Sequence, residues 1–340
     1  MKIHHAHDTP RLPRRSALVA LALLVAAVAV TAAASAGTST RSATIKVGLI
    51  TKTESNPFFV KMREGAQQSA KKLGAQLLTA AGKTNTDSAA EITNIENQVS
   101  AGVKAILITP IDKTQTPAIL KARKKGVLVI ALDTPTDPAN AADALFATDN
   151  FKAGLLVGKY AKAALKGAAA KIATLDVAPG ATVGVLRHDG FLKGFGIGKK
   201  DKSVVCSQDS GGDQAKGQTV METCLQKDPS INLVYAVNEP AALGAYRALK
   251  KAGKEKGVVI VAIDGGCTGV RNVRAGVIAA TAQQYPLKMA ALGVQAGVNF
   301  AKTGKKVSGY TDTGVNLITA KPVAGVPSKD AAFGLANCWG

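Results

Sequence analysis

Two stretches of ten residues, KKGVLVIALD (124–133) and EKGVVIVAID (255–264), share one design: a charged helix end, a glycine, an uninterrupted apolar run and a terminal aspartate. An apolar run of strand length with no polar alternation belongs to a strand covered by helices on both faces, which is the situation of a parallel sheet. The same rhythm recurs in KVGLIT (46–51), KAILIT (104–109), KIATLDV (171–177), SVVCSQ (203–208) and NLVYAVN (232–238), with amphipathic helical stretches between them. Strand and helix in alternation give βαβ units. The near-repeat places one such set in each half of the chain, and 340 residues exceed what a single core organises. The expected fold is therefore α/β, with two similar doubly wound parallel-sheet lobes.

In open α/β sheets the ligand site lies beyond the carboxyl ends of the strands. Asp133 and Asp264 stand at that edge in their respective halves. A single strand-end Asp is as well explained by capping the turn that follows it. Two at matched positions favour a shared cleft between facing lobes.

Other residues converge on the same edge. KVGLIT is followed by TESNPFF (53–59), where Asn56 fits an N-cap and Pro57 the first helical residue. Phe59 begins a buried stripe with Met62, Ala66, Ala70 and Leu73. Phe58 stands about 100° round the helix and is harder to bury with that stripe. An aromatic face beside carboxylates suits a molecule with C–H faces and hydroxyl edges, namely a sugar. Hydroxyls both donate and accept, so the site needs carboxylates, a guanidinium and amides together. Asn238 ends NLVYAVN, Arg187 is expected to open the helix after KIATLDV, and Gln284 follows the short run VIAATA. Each alone is more commonly a cap or a surface residue.

Several features bound the setting. Arg14 and Arg15 precede an apolar run from Ala17 to Val30 and the small residues Ala34-Ser35-Ala36, the layout of a secretory signal, with a leader over 1–36 and a mature chain near Gly37. An exported chain with four cysteines is expected to form two disulfides, for which three pairings are open. Cys206 on a strand and Cys224 on the next helix are close enough for a local bridge, which would leave Cys267 with Cys338. Zinc is the rival use of the thiols, but no C-x-x-C occurs and His4, His5 and His7 lie in the leader, so neither metal nor cofactor is expected.

The formal charge of +20 permits nucleic-acid binding. Many lysines, however, come in pairs at helix ends (Lys71-Lys72, Lys124-Lys125, Lys250-Lys251), where cations suit the helix dipole and solvent. No run of base-stacking aromatics accompanies them, and nucleic acid is not an expected partner. Paired carboxylates in a sugar cleft also fit a glycosidase. Neither G-x-S-x-G nor H-E-x-x-H occurs, and the GKT at 82–84 lacks the first glycine of a P-loop, which would fall at Leu77. No enzyme activity is expected.

From about Thr44 to Thr319 the chain resembles the type I periplasmic sugar-binding proteins of bacterial ABC importers, in the ribose/galactose group. The resemblance is carried by SNPFF (55–59), GVKAILITP (102–110), VIALDTP (129–135), ATDNFKAG (147–154), RHDGFLKGF (187–195), VYAVNEPAALGAYRAL (234–249) and VAIDGG (261–266). It implies that Asn56, Phe58, Asp133, Arg187, Asn238, Asp264 and Gln284 contact the sugar, with Phe59 a further candidate. It implies three crossings between lobes, near Thr148, Gln283 and Gly314, so that 44–148 with 285–313 form one lobe and 149–284 with 314–340 the other. It implies as partners a monosaccharide and a membrane ABC permease, a monomeric protein, and a location in the periplasm or at the outer face of the cytoplasmic membrane. Presentation of the sugar to a membrane sensor is the alternative role.

Departures from the pattern narrow the ligand. Ribose-binding members follow the first-lobe Asp with Arg, where this chain has Thr134; they carry an aromatic where it reads DSGGDQ (209–214); and Lys52 replaces a small hydroxyl residue. The stretches GLITKTESNPFFVKM and ALDTPTDPANAADALFATDNFKAG look most like fructose-binding members, which makes fructose the expected ligand and adds Lys52 and Asp213 as hydroxyl contacts.

Overall fold

The computed structural model describes residues 44–340, so the leader expected at 1–36 lies outside the described residues. In the first half, β1 (Lys46–Thr51), α1 (Pro57–Leu73), β2 (Gln76–Ala81), α2 (Ser88–Ser100), β3 (Ala105–Ile108), α3 (Thr116–Lys124), β4 (Leu128–Leu132) and β5 (Ala144–Ala147) alternate as the pattern requires. The second half repeats the plan with α4 (Asn150–Ala164), β6 (Ile172–Asp176), α5 (Thr182–Phe195), β7 (Val204–Asp209), α6 (Gln214–Lys227), β8 (Leu233–Ala236), α7 (Glu239–Lys251), β9 (Val259–Asp264), α8 (Cys267–Arg274) and β10 (Ala280–Gln283). There follow α9 (Pro286–Thr303), β11 (Gly309–Asp312), β12 (Asn316–Thr319) and α10 (Ala331–Asn337).

These strands form two six-stranded sheets of the same plan, β2-β1-β3-β4-β5-β11 and β7-β6-β8-β9-β10-β12. Every pairing is parallel except β10 with β12. The near-repeat therefore occupies equivalent places: β4 and β9 are each the fourth strand of their sheet. The chain passes from the first sheet to the second after β5, returns through α9, and passes over again between β11 and β12. Two of these passages touch, because Thr148 Oγ1 donates to the Gly314 carbonyl at 3.0 Å.

The apolar runs are double-covered, as their composition requires. Leu49, Leu107 and Ile130 face Met62 of α1 and Met289 and Val294 of α9, while Ile50, Ile106 and Ile108 face Ile95 of α2 and Ile119 of α3. In the second sheet Leu175, Val234 and Ala262 meet α6 and α7, and Leu233, Tyr235 and Ile263 meet α4 and α5.

One packing detail positions a functional residue. Helices α4 and α5 carry Gly154, Gly158, Gly190 and Gly194 along their contact, and a Cβ at Gly154 would stand 2.0 Å from the Arg187 carbonyl oxygen and one at Gly190 2.1 Å from that of Phe151. The glycines let the two backbones touch, which fixes the height of Arg187 above the second sheet. Helix α5 begins at Thr182, five residues before the expected start at Arg187, so Arg187 sits in its second turn.

Candidate functional site

The two strand-end aspartates adopt backbone that L residues rarely take, φ 61° at Asp133 and 151° at Asp264. Such positions cost energy and cluster where a side chain must be aimed. Both aspartates line a pocket between the sheets with about 50 Å³ of room for water centres. Adding a water radius of ~1.4 Å on every side brings this to the scale of one monosaccharide ring.

Eight of the residues singled out in the sequence line this pocket: Lys52, Asn56, Phe58, Phe59, Asp133, Arg187, Asn238 and Asp264. Asn56 is the N-cap of α1, its Oδ1 accepting from the Phe58 amide at 2.9 Å, with Pro57 in the first turn. Phe58 does not stand apart from the buried stripe as its helical angle predicts. Both rings are buried, meeting edge to face at 5.5 Å, and Phe58 meets Trp339 in the same way at 5.5 Å. The indole Nε1 donates to the Gln284 carbonyl at 2.9 Å. The chain end thus returns over the site, a closure that sequence distance conceals.

Arg187 organises the pocket. Its Nε donates to Asn150 Oδ1 at 2.8 Å, Nη1 to the Val237 carbonyl at 3.1 Å, and Nη2 to Asp133 Oδ1 at 3.3 Å and Gln284 Oε1 at 3.2 Å. Gln284 Nε2 in turn donates to Asp264 Oδ1 at 3.2 Å. A continuous path thus runs from the carboxylate of one sheet to that of the other. Gln284 itself is fully buried behind the pocket, where it orients its two neighbours.

On the first sheet, Lys52 Nζ donates to Thr134 Oγ1 at 3.0 Å and that hydroxyl donates to Asp133 Oδ2 at 3.0 Å. The two departures noted in the sequence, at 52 and 134, are therefore direct neighbours. Asp213 stands elsewhere: it caps α6, accepting from the Lys216 amide at 2.9 Å, and lines a wider groove outside the pocket.

Burial shapes the charges. Desolvation lowers the Lys52 ammonium, opposed by the charges of Asp133 and Glu91. It raises Asp264 to about 7 against the pull of Arg187, and Glu239 to about 8 with the charge of Asp264 adding to the rise. The Glu239 carboxylate accepts from the Gly265 and Gly266 amides at 2.9 and 3.2 Å, and its own amide donates to Asp264 Oδ2 at 3.2 Å. Glu239 is therefore a support that holds the Asp264 loop.

Besides Trp339, three contributors carry no mark in the sequence: Glu239, Asn150 and Asn85. Asn150 clamps Arg187 and also donates from Nδ2 to the Asp133 carbonyl at 2.7 Å. It is the first residue of α4, one place past the cap Asp149, whereas Asn56 and Asn238 are themselves the caps of α1 and α7. Asn85 lines the pocket from the loop after β2, and its Nδ2 donates to the Gly211 carbonyl across the cleft at 2.6 Å. The thiols form two bridges, Cys206–Cys224 and Cys267–Cys338. Among the described residues no group of three His, Cys, Asp or Glu could hold a metal ion.

Two α/β lobes enclosing a polar, aromatic-walled pocket define a class of solute-binding protein that takes a small molecule between lobes. The periplasmic binding protein domain family matches residues 47–306. The ribose import binding protein of Bacillus subtilis is 32% identical over 276 residues, 81% of this chain and 87% of that protein. The D-allose-binding periplasmic protein of Escherichia coli is 28% identical over 272 residues, 78% of this chain and 87% of that protein. A solved ABC transporter solute-binding protein of Actinobacillus succinogenes with bound D-allose superposes with TM-score 0.71 at 26% identity, covering 81% of this chain and 97% of that one. The chain belongs to the periplasmic binding proteins, in the type I sugar-binding group.

Proposed function

We propose that this protein captures a monosaccharide outside the cytoplasm and delivers it to an ABC permease, and that the monosaccharide is fructose. The observation that carries the reading is the buried path Asp133–Arg187–Gln284–Asp264, which joins carboxylates of both lobes around a pocket of single-ring size. Carboxylates, a guanidinium and amides supply the mixed donors and acceptors that sugar hydroxyls require, and Phe58 and Phe59 offer faces for C–H groups. The ligand bridges residues of both lobes, so it binds the closed arrangement more tightly and shifts the population toward it. Closure is a hinge rotation about the three passages between the sheets, and the permease docks the closed form of the monomer.

The choice of fructose rests on the likeness of GLITKTESNPFFVKM and ALDTPTDPANAADALFATDNFKAG to fructose-binding members, and Lys52 and Thr134 set ribose aside. The resemblance places an arginine at position 134 in ribose binders, whereas here the cation comes from position 52 and reaches the same carboxylate through the Thr134 hydroxyl. The relatives' own ligands, ribose and allose by name, keep the class within small sugars.

Calorimetric titration of the chain from Gly37 onward against fructose, ribose, allose, glucose, galactose, xylose and myo-inositol tests both levels. One-to-one binding of fructose ahead of the others is the expected result. Preference for ribose or allose would overturn the fructose assignment alone, and silence across the panel would overturn monosaccharide capture.

A further inference from the structure

Outside the inner pocket lies a much larger groove, with about 740 Å³ of room for water centres. One wall comes from the loops that follow β1 and β2, and the other from the loop before α6 and the first turns of α7 and α8, with Trp339 and Gly340 at one end. Asn56, Asn85 and Asp264 line both spaces. A ring in the pocket therefore has one edge at the mouth of the groove, and a substituent on that edge leads into it.

We propose that this groove is a second subsite, and that the protein takes a neutral glycoside or short oligosaccharide whose terminal ring fills the pocket and whose next ring lies in the groove. The inference rests on the sugar-capture reading above. The lining alternates hydrogen-bonding groups (the Asn85 amide, the Thr84 and Thr268 hydroxyls) with apolar surface (Pro240, Leu243, Trp339), the mixture that pyranose and furanose rings require. The charges at its rim are largely matched internally. Lys216 Nζ pairs with Asp209 at 2.7 Å, Asp213 caps α6, and the Lys83 backbone amide donates to Asp87 at 3.1 Å. Along the lining the carboxyl groups of Asp209, Asp213, Glu239 and Asp264 outnumber the ammonium groups of Lys83 and Lys216, so a phosphorylated or acidic sugar meets no excess of cations, which favours a neutral second ring. The Trp339 ring lies against Gly266, where a Cβ would come within 3.2 Å of it, and its Nε1 bond to Gln284 holds that end of the groove in place.

The test is calorimetric titration of the mature chain with fructose against sucrose and inulobiose, and with ribose against p-nitrophenyl β-ribofuranoside. At least one glycoside is expected to bind tenfold or more tightly than its parent monosaccharide. Thr268→Trp, which fills the groove from an exposed position, should reduce that glycoside's affinity by tenfold or more and leave the monosaccharide within twofold. If monosaccharides bind and no glycoside reaches that tenfold gain over its parent, the groove is not a subsite, while sugar capture stands. Equal loss of both ligands in Thr268→Trp would also overturn the second subsite. If neither monosaccharides nor glycosides bind, sugar capture and the second subsite fall together.

Discussion

The Arg187 guanidinium meets the Asp133 carboxylate at 3.3 Å across the two sheets, with both side chains buried. A buried ion pair is a weak source of stability, because desolvation offsets most of its attraction, yet removing one partner strands the other. Here the partners belong to different lobes, so a stranded Asp133 can regain water by lobe opening without unfolding. The pair therefore governs closure more than stability.

Arg187→Ala should accordingly weaken monosaccharide binding by about 2–5 kcal/mol, the range for truncating a buried hydrogen-bonded charge pair. Its melting temperature should fall by only a few degrees. Arg187→Lys keeps the charge but not the fork that reaches Asn150, Asp133 and Gln284 together, so it should recover only part of the affinity. Calorimetry and thermal melts on the two variants check this, and a large loss of stability with affinity retained would contradict it.

Gly190 offers a test of how Arg187 is placed. A Cβ there would stand 2.1 Å from the Phe151 carbonyl oxygen, so Gly190→Val must push α4 and α5 apart. Overpacking of this kind costs about 1–3 kcal/mol or more. Lower thermal stability and weaker sugar binding are expected together. Gly198→Ala, whose Cβ would meet nothing within 4 Å, is the control and should change neither.

What the sequence made legible follows from which faces are covered. Strands β3 and β4, buried at every position, announce themselves as apolar runs, and the aspartates, amides and prolines at strand ends mark the cleft because the topology puts all carboxyl edges there. Strand β2 (QLLTAA) is half exposed and β11 (GYTD) wholly exposed, so neither carries an apolar signature. Missing β2 hid the loop after it, and with it Asn85. Trp339 was hidden for another reason: its contact with Phe58 depends on α10 and the Cys267–Cys338 bridge carrying the chain end back to the cleft. The positive φ of Asp133 and Asp264 likewise has no local sequence mark, since neither residue is glycine.

Acid should stabilise the ligand-free protein. Asp264 and Glu239 are raised by burial to about 7 and about 8 from ordinary values of 3.8 and 4.5, and Glu91 is raised to about 8 in the same way. Between the ordinary and the raised values the folded chain holds protons that the unfolded chain has released, so stability falls as pH rises through that window. The melting temperature should therefore decline from about pH 5 to pH 8, the interval set by these shifts. Asp264→Asn should remove part of the decline. A profile that rises over the same interval would mean that these carboxyls are ionised and well solvated in the folded state.

The two disulfides should separate stability from binding. Chain-entropy estimates give about 3 kcal/mol for a loop the length of Cys206–Cys224 and about 4.5 kcal/mol for one the length of Cys267–Cys338. The bridges span 18 and 71 residues. The shorter ties β7 to α6 inside the core of the second sheet and neither cysteine lines the pocket, so the double substitution C206S/C224S should lower the melting temperature and leave sugar affinity within a few-fold. The longer bridge holds Trp339 against Phe58 and the Gln284 carbonyl. Releasing it with C267S/C338S removes the cover from one aromatic wall and the anchor from the residue that aligns Arg187 with Asp264. Affinity should then fall by tenfold or more in addition to the loss of stability. Equal effects of the two pairs on affinity would show that the chain end only braces the second lobe and takes no part in shaping the pocket.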